Sequence, residues 1–473
     1  MKRFLKWLLV SLLAFSSIFV IIYVYKLNIL ENKYLIPFIA GVILLGALNI
    51  FKLVRKKTRK GPKIAFAIFS ALLIIIYTII CRFTDTTISF LKKVTNLKME
   101  TVNYNVLVLD NTDYNEILDL TDKKIGFMGS DLNIDDSKDE LKKKMTYEAS
   151  SYDDIGSLIG ALYNNELNAI VINEAYIHML EDSDNEFVKN YKVIYKYTVR
   201  VLLKDNKVNK VNYTKDPFVL YVSGTDSRGT VSDVSRSDVN IIIVVNPKTH
   251  KILLVNTPRD YYVQLHGTTG IKDKLTHAGV YGIDMSKNTM QDLLGVNINN
   301  VVKVSFQTVI KLIDTIDGID ITSEKDYIPH TNKNCHIVEG EQHLDGTCAL
   351  AFARERYTYE SGDRHRGENQ QQVITKVVKK MTNPKYMIKY NDILKNTEGT
   401  IETDISYEDI TELAKYELSN LTSWTVESIS LDGEGAMLPT YSMGEDLPLY
   451  VMIPNEDTVN NAKNKIKEYL SQN

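Results

Sequence analysis

The chain has 473 residues and a net charge of −3, too long for one ordinary core and too acidic overall to present a continuous basic face. Its charge is unevenly placed: residues 1–82 hold 13 Lys and Arg against the single acid Glu31, a charge of +12, which leaves −15 on the remainder. Nucleic-acid binding needs a face that neutralises phosphates, so an acidic remainder disfavours a DNA- or RNA-binding function.

Three apolar runs open the chain, at residues 7–25, 34–51 and 64–81. Each is near the length that spans a bilayer and none contains a charge. A signal peptide is disfavoured, because no small-residue cleavage site follows the first run and two more runs come after it. Lys2, Arg3 and Lys6 precede the first run. Between Lys52 and Lys63 stand seven basic residues and no acid. The positive-inside rule predicts a cytoplasmic N-terminus and a chain delivered outside after Arg82.

Residues 1–82 thus read as a membrane anchor and 83–103 as a stem. Over 104–205, short apolar strands alternate with amphipathic helices. Strands are predicted at Asn105–Leu109, Lys124–Met128, Ala169–Ile172 and Val193–Val199, and helices at Asp136–Met145 and Asp153–Tyr163. In the latter, Ile155, Leu158, Ile159 and Leu162 share one stripe. This alternation predicts a small α/β accessory domain with a largely parallel sheet. A polar linker over 206–217 leads to a second α/β domain, 218–473. It opens with the strand Phe218–Val222 and a hairpin, Val239–Val245 and Lys251–Thr257, turned by NPKTH. Further along come a strand at Val301–Ser305 and helices at Thr308–Ile316, Asp345–Ala353 and Gly367–Met381. Tyr407–Leu418, with a Ser406/Asp409 capping box, and Thr458–Leu470 close the chain. The fold class is α/β: three spans, an accessory α/β domain, and a layered α/β domain around a central mixed sheet.

The densest chemistry lies in RERYTYESGDRHRGENQQ, residues 354–371, which carries Arg354, Arg356, Arg364 and Arg366. Guanidiniums grip phosphate oxygens in pairs and stay charged at ordinary pH, so several aimed at one point suit a pyrophosphate; a solvated basic surface is the plainer reading. Gln370 is one helical turn beyond Arg366 and shares its face, at a helix start where backbone N–H groups also favour anions. Asp363, between the arginine pairs, is a candidate general base or a guanidinium clamp. Upstream, Asp226 and Asp238 stand at adjoining strand ends, where they can converge on one hard cation or simply cap their loops. Arg236 and Arg259 stand beside them. Lys274 and His277, in DKLTHAGVYG, are weaker candidates. Cys335 and Cys348 fit a disulfide outside the membrane better than a zinc site with His336 and His343, whose spacing matches no standard ligand pattern.

The motifs SGTDSRG, SRSDVNIIIVVNP, TPRDYYV, DKLTHAGVYG and ALAFARERY…GDRHRGENQQ, in this order over residues 218–381, resemble the LytR-CpsA-Psr family. The capsule-associated, CpsA-like members are most similar, with three spans and an extra domain before the catalytic one. The resemblance implies an enzyme that moves a polyprenyl-pyrophosphate-linked glycopolymer, here a capsular polysaccharide, onto peptidoglycan through a phosphodiester. Carried over by position, Asp226 and Asp238 hold Mg²⁺, with Mn²⁺ the alternative. Arg236, Arg259, Arg354, Arg356 and Arg366, with Lys274 and Gln370, grip the pyrophosphate. Arg259, Arg354, Arg356 and Asp363 join the two aspartates as catalytic residues. Many members have arginine where this chain has Asn369, which implies a lighter phosphate grip and a branch other than the teichoic-acid one. Membrane lipid and peptidoglycan are the implied partners, with no nucleic acid. The competing readings are a membrane-anchored lipid-pyrophosphate phosphatase and a non-enzymatic envelope regulator.

Overall fold

A computed structural model describes the chain except residues 1–2, 56–58, 96, 183–185, 204–210, 226–229, 361, 382–385, 387–388, 421–423 and 473. At 3, 60, 182, 363, 378, 381, 390 and 391 it describes the backbone alone. Three apolar helices come first: α1 (Arg3–Leu27), α2 (Asn32–Val54) and α3 (Lys60–Val94), each long and apolar enough to cross a membrane. At 1.5 Å per residue the 35-residue α3 is about 52 Å long, well beyond a ~30 Å hydrocarbon core. Much of the expected stem is therefore the far end of α3. Its Phe90 and Val94 pack against Leu394, which ties the outer domain directly to the span.

The rest of that stem is strand. β1 (Met99–Leu109) joins β2 (Lys124–Met128), β3 (Glu148–Tyr152), β4 (Ala169–Asn173) and β5 (Tyr191–Leu202) in a five-stranded sheet ordered β3-β2-β4-β1-β5. The sheet is mixed, not largely parallel: β2 runs parallel to β3 and β4, whereas β1 runs antiparallel to β4 and β5. The first strand enters from the membrane side rather than through a crossover helix, so it is free to run against β4. α4 (Ile134–Lys142), α5 (Ile155–Tyr163) and α6 (Glu174–Asp182) cover the faces. The α5 stripe is buried as its period requires.

The second domain is built on a six-stranded sheet. Its strands are β6 (Phe218–Thr225), β7 (Ser237–Asn246), β8 (Lys251–Thr257), β11 (Asn300–Ser305), β14 (Ile401–Thr403) and β15 (Thr425–Ser430). The order is β14-β11-β6-β7-β8-β15, with β11 parallel to β6, β15 parallel to β8 and the other pairs antiparallel. Between β8 and β11 lie the two-residue strands β9 (Tyr262–Val263) and β10 (Asp273–Lys274), the short helical segment Leu275–Tyr281, and α7 (Ile283–Leu294). α8 (Phe306–Thr315), the hairpin β12 (Ile319–Ser323)–β13 (Gly340–Leu344), α9 (Gly346–Arg354), α10 (Asp363–Met381) and α11 (Tyr390–Thr397) follow. α12 (Tyr407–Asn420), the hairpin β16 (Gly433–Thr440)–β17 (Gly444–Pro454) and α13 (Glu456–Ser471) complete the chain. Cys335 and Cys348 are joined, tying the segment before β13 to α9 across 13 residues.

Candidate phosphate-binding site

The site forms where β7 begins, β8 ends and α9 hands over to α10. Strand direction explains the meeting. β7 starts and antiparallel β8 finishes at the same sheet edge, which brings Asp238 beside Arg259 although 21 residues separate them. Asp238 is 5 % exposed, and its Oδ1 accepts from Arg259 Nη1 and from the Thr276 hydroxyl, both at 3.0 Å. Burial pushes this carboxyl up, but the guanidiniums of Arg259, Arg236, Arg366 and Arg354 outweigh it and hold the group well below the usual carboxylate range.

The second arginine pair is set by one turn. α9 starts on the Asp345 cap and ends at Arg354, and Glu355 is extended. The buried Glu355 carboxylate accepts backbone N–H groups from His330, Arg356, Tyr357 and Thr358 at 2.7–3.1 Å. Arg354 and Arg356 are thereby thrown in alternate directions. Arg354 stacks over the Phe306 ring, 4.5 Å from its centroid. Arg356 reaches to 3.9 Å from Asp260. Arg366, nearly buried, and Gln370 come from the first two turns of α10. With Arg236, Asp238, Arg259, Arg354 and Arg356 they line one cleft of about 250 Å³.

Sequence-based candidates thus fall into three groups. Arg236, Asp238, Arg259, Arg354, Arg356, Arg366 and Gln370 share the cleft, and Lys274 stands at its edge, where its Nζ is 2.6 Å from Asp260. Arg364 does not join them: it is 59 % exposed, 3.3 Å from Asp432 and 3.8 Å from Glu368, and lines an adjoining cleft of about 240 Å³. Asp226 and the side chain of Asp363 lie outside the described residues. Asn369 does not line the cleft. Its amide is buried and donates to the carbonyl of Phe352 at 3.1 Å, tying α10 to α9.

Sequence reasoning passed over Asp260, Thr276 and Glu355. Asp260 is fully buried between Lys274, Arg259 and Arg356. Burial raises its carboxyl, but Lys274, Arg259 and Arg366 hold it far below the ordinary range. The motif TPRDYY carried the signal, an acid adjacent to a guanidinium that enters a buried edge. His277 is buried against Asp273 (2.7 Å) and the Ser442 hydroxyl (2.9 Å), and burial lowers it from the usual imidazole value.

The site tests the fit of a divalent cation only in part. Among the described residues no three His, Cys, Asp or Glu side chains cluster as metal ligands. Magnesium asks for less: one or two carboxylates, with waters and substrate phosphates filling its shell. Asp238, held ionised at the cleft wall, meets that requirement.

Beyond Gln370 the second cleft leads to an apolar groove of about 1000 Å³ between the outer sheet face and helices α10 and α12. Leu220, Ile252, Leu254, Ile374, Leu413 and Trp424 line it. Ser430 lines the cleft and Ser428 the groove, two residues apart on β15; Gln370 and Ile374 do the same one turn apart on α10. The adjoining cleft and the groove are thus built along the same strand and helix, β15 and α10.

A teichoic acid transferase of Bacillus mycoides strain KBAB4, polyisoprenyl-teichoic acid–peptidoglycan teichoic acid transferase TagU, is 30 % identical over 239 residues, covering 50 % of this chain and 76 % of that protein. TagU of Bacillus subtilis strain 168 is 31 % identical over 208 residues, covering 44 % of this chain and 65 % of its own length. The crystal structure of B. subtilis TagV is 27 % identical with a TM-score of 0.46, covering 55 % of this chain and 99 % of that one. The model of the LytR_cpsA_psr family matches residues 187–467, more than half of the sequence, and the chain belongs to that family.

Proposed function

We propose that the chain is a membrane-anchored glycopolymer transferase. It takes a glycopolymer carried on polyprenyl pyrophosphate and joins it to peptidoglycan through a phosphodiester. One observation carries this reading: a cleft of about 250 Å³ lined by five arginines, with an apolar groove of about 1000 Å³ built on the same helix α10. The TagU relatives are named for a transferase activity of the same kind.

The residues divide the work by charge. Arg236, Arg259, Arg354, Arg356 and Arg366 neutralise the two phosphates and favour the charge that grows on the leaving lipid phosphate. An acceptor sugar hydroxyl bonds to the phosphorus nearest the glycan. The bond from that phosphorus to the bridging oxygen breaks, and polyprenyl monophosphate leaves with the electron pair. Asp238 with Asp226 would hold Mg²⁺, which when bound adds positive charge against the same phosphate oxygens. Asp238 acts as a fixed charge and not as the base, because a carboxyl held that far below its ordinary range has little affinity for a proton. The hydroxyl proton is assigned to Asp363, from the sequence.

The spans set the location. The Tyr407 hydroxyl on α12 donates to the carbonyls of Lys26 and Leu27 at 3.3 and 3.4 Å, and Lys415 Nζ to Asn28 Oδ1 at 3.0 Å. One wall of the groove thus rests on the turn between α1 and α2, where a lipid tail leaving the bilayer would arrive. The proposed orientation has the N-terminus inside and both folded domains outside, and a thiol placed at Asp153 should label in intact cells. A capsular polysaccharide is the proposed cargo, from the likeness to CpsA-like members in having three spans and an accessory domain.

The test is transfer of a labelled glycan from polyprenyl pyrophosphate to peptidoglycan, with and without acceptor. Arg354→Ala and Asp238→Ala should each lower transfer by about 100-fold or more. Full activity and full lipid-pyrophosphate binding in both variants would refute the assignment. Glycan release that is indifferent to the acceptor would make the enzyme a phosphatase.

A further inference from the structure

A third cleft, of about 530 Å³, adjoins the arginine cleft and shares no lining residue with the apolar groove. It shares Arg236, Arg259, Arg356 and Tyr357 with the phosphate site and adds Tyr359, Glu360 and Tyr450. A lipid-linked glycan is linear, with lipid, then two phosphates, then sugar. With the lipid in the groove and the phosphates on the arginines, this is where the first sugars fall. Tyrosine rings beside hydrogen-bonding groups suit a sugar, which offers apolar C–H faces and polar edges.

The back of this cleft belongs to the other domain. Met179, on α6 of the accessory domain, lines it together with Leu449. Three contacts hold α6 and its surroundings in place. Asn173 Nδ2 donates to the carbonyl of Val280 at 3.2 Å, and the Tyr176 hydroxyl to that of Tyr281 at 3.0 Å. Met443, Ala278, Val280 and Tyr281 also share one buried core with Leu158, Leu162, Tyr176 and Met179. The segment Leu275–Tyr281 therefore supplies Thr276 and His277 to the cleft at one end and leans on α6 at the other. Gly279 lets it approach: a Cβ there would lie 2.5 Å from the carbonyl oxygen of Ser235, next to Arg236.

We propose that the accessory domain is a specificity wall: through α6, with β17 and Tyr450 beside it, it shapes the subsite for the sugars next to the pyrophosphate and so restricts which glycan is accepted. This rests on the transferase reading above. The experiment measures binding to the full-length protein in detergent micelles of two probes, octaprenyl pyrophosphate and the same lipid carrying a disaccharide. Met179→Trp, which fills the back of the cleft, and Tyr450→Ala, a change at the exposed rim, are compared with wild type. The ratio of the two affinities should fall by about 10-fold in each. Should Met179→Trp fail to fold, Met179→Phe, a smaller change at the same position of α6, takes its place. Unchanged ratios would overturn the specificity wall while leaving the transferase reading standing. Failure of the wild type to bind either probe would overturn both.

Discussion

At the scale of single residues, buried charge is concentrated where phosphates are to be met. Asp238 and Asp260 are ionised and enclosed, and each depends on several cations to remain so. Because both folded values are depressed, their contribution to stability is complete above the unfolded carboxylate value of about 4 and is lost progressively as pH falls from there through the much lower folded values. His277 sets a dependence at milder pH. Its folded value is lowered by burial, with Asp273 raising it and Lys274 and Arg236 opposing protonation. Below the unfolded value of about 6.5 the unfolded chain takes up a proton that the folded chain refuses, so stability falls as pH drops. The melting temperature should therefore decline more steeply from pH 7.5 to 5.5 in wild type than in His277→Gln; parallel curves would dismiss this imidazole as a contributor. The arginine set and Asp238 were legible from the sequence because their motifs are local. Asp260 and Glu355 were not singled out, since nothing local shows that these acids are buried: Asp260 also meets Lys274 and Arg356, and Glu355 also takes the N–H of His330.

At the scale of elements, α10 links the polar and apolar halves of the site. Arg366 and Gln370 face the phosphate cleft, and Ile374 one turn later faces the groove, so a single helix face changes character along its length. The opposite wall is α12. A charge placed there, Leu413→Lys, should weaken binding of octaprenyl pyrophosphate by about 10-fold or more. Geranyl pyrophosphate, too short to fill the groove, should lose far less; equal losses for both lipids would show that the groove does not take the chain. The expected hairpin β7–β8 and the helices α8 to α10, α12 and α13 follow from period and caps, with ends shifted by a few residues. The direction of β1 did not follow, because nothing local in a strand's sequence states whether its neighbour runs parallel or antiparallel.

At the scale of the whole molecule, the two outer domains are bolted together through charge as well as apolar area. Glu100, at the start of β1, forms a buried ion pair with Lys303 of β11 at 2.7 Å and accepts the N–H of Ile283 at 2.9 Å. Gly282, at φ 101°, leaves room: a Cβ there would meet Glu100 Oε2 at 2.8 Å. Lys303 also donates to the carbonyl of Asp233, and Thr101 pairs with the backbone of Ser232 and Val234. β1 thus braces the segment leading to Arg236. Glu100→Ala strands a buried ammonium and should cost about 3–5 kcal/mol, whereas Glu100→Leu with Lys303→Met should recover most of it. Thermal unfolding in detergent checks both, and a single variant as stable as wild type would show that the pair is not needed.

The sequence by itself determined the apolar spans, the alternation of strands and helices, and the arginines and aspartate that gather at the candidate site. Each of these is written in runs of neighbouring residues through hydrophobic period, charge and motif. Only the tertiary structure decided that the clefts and the groove are built along shared elements, that Asn369 is spent on a helix contact, and that Met179 of the accessory domain lines one of the clefts. Those are facts of packing between segments tens to hundreds of residues apart, and no local pattern encodes which buried faces will meet.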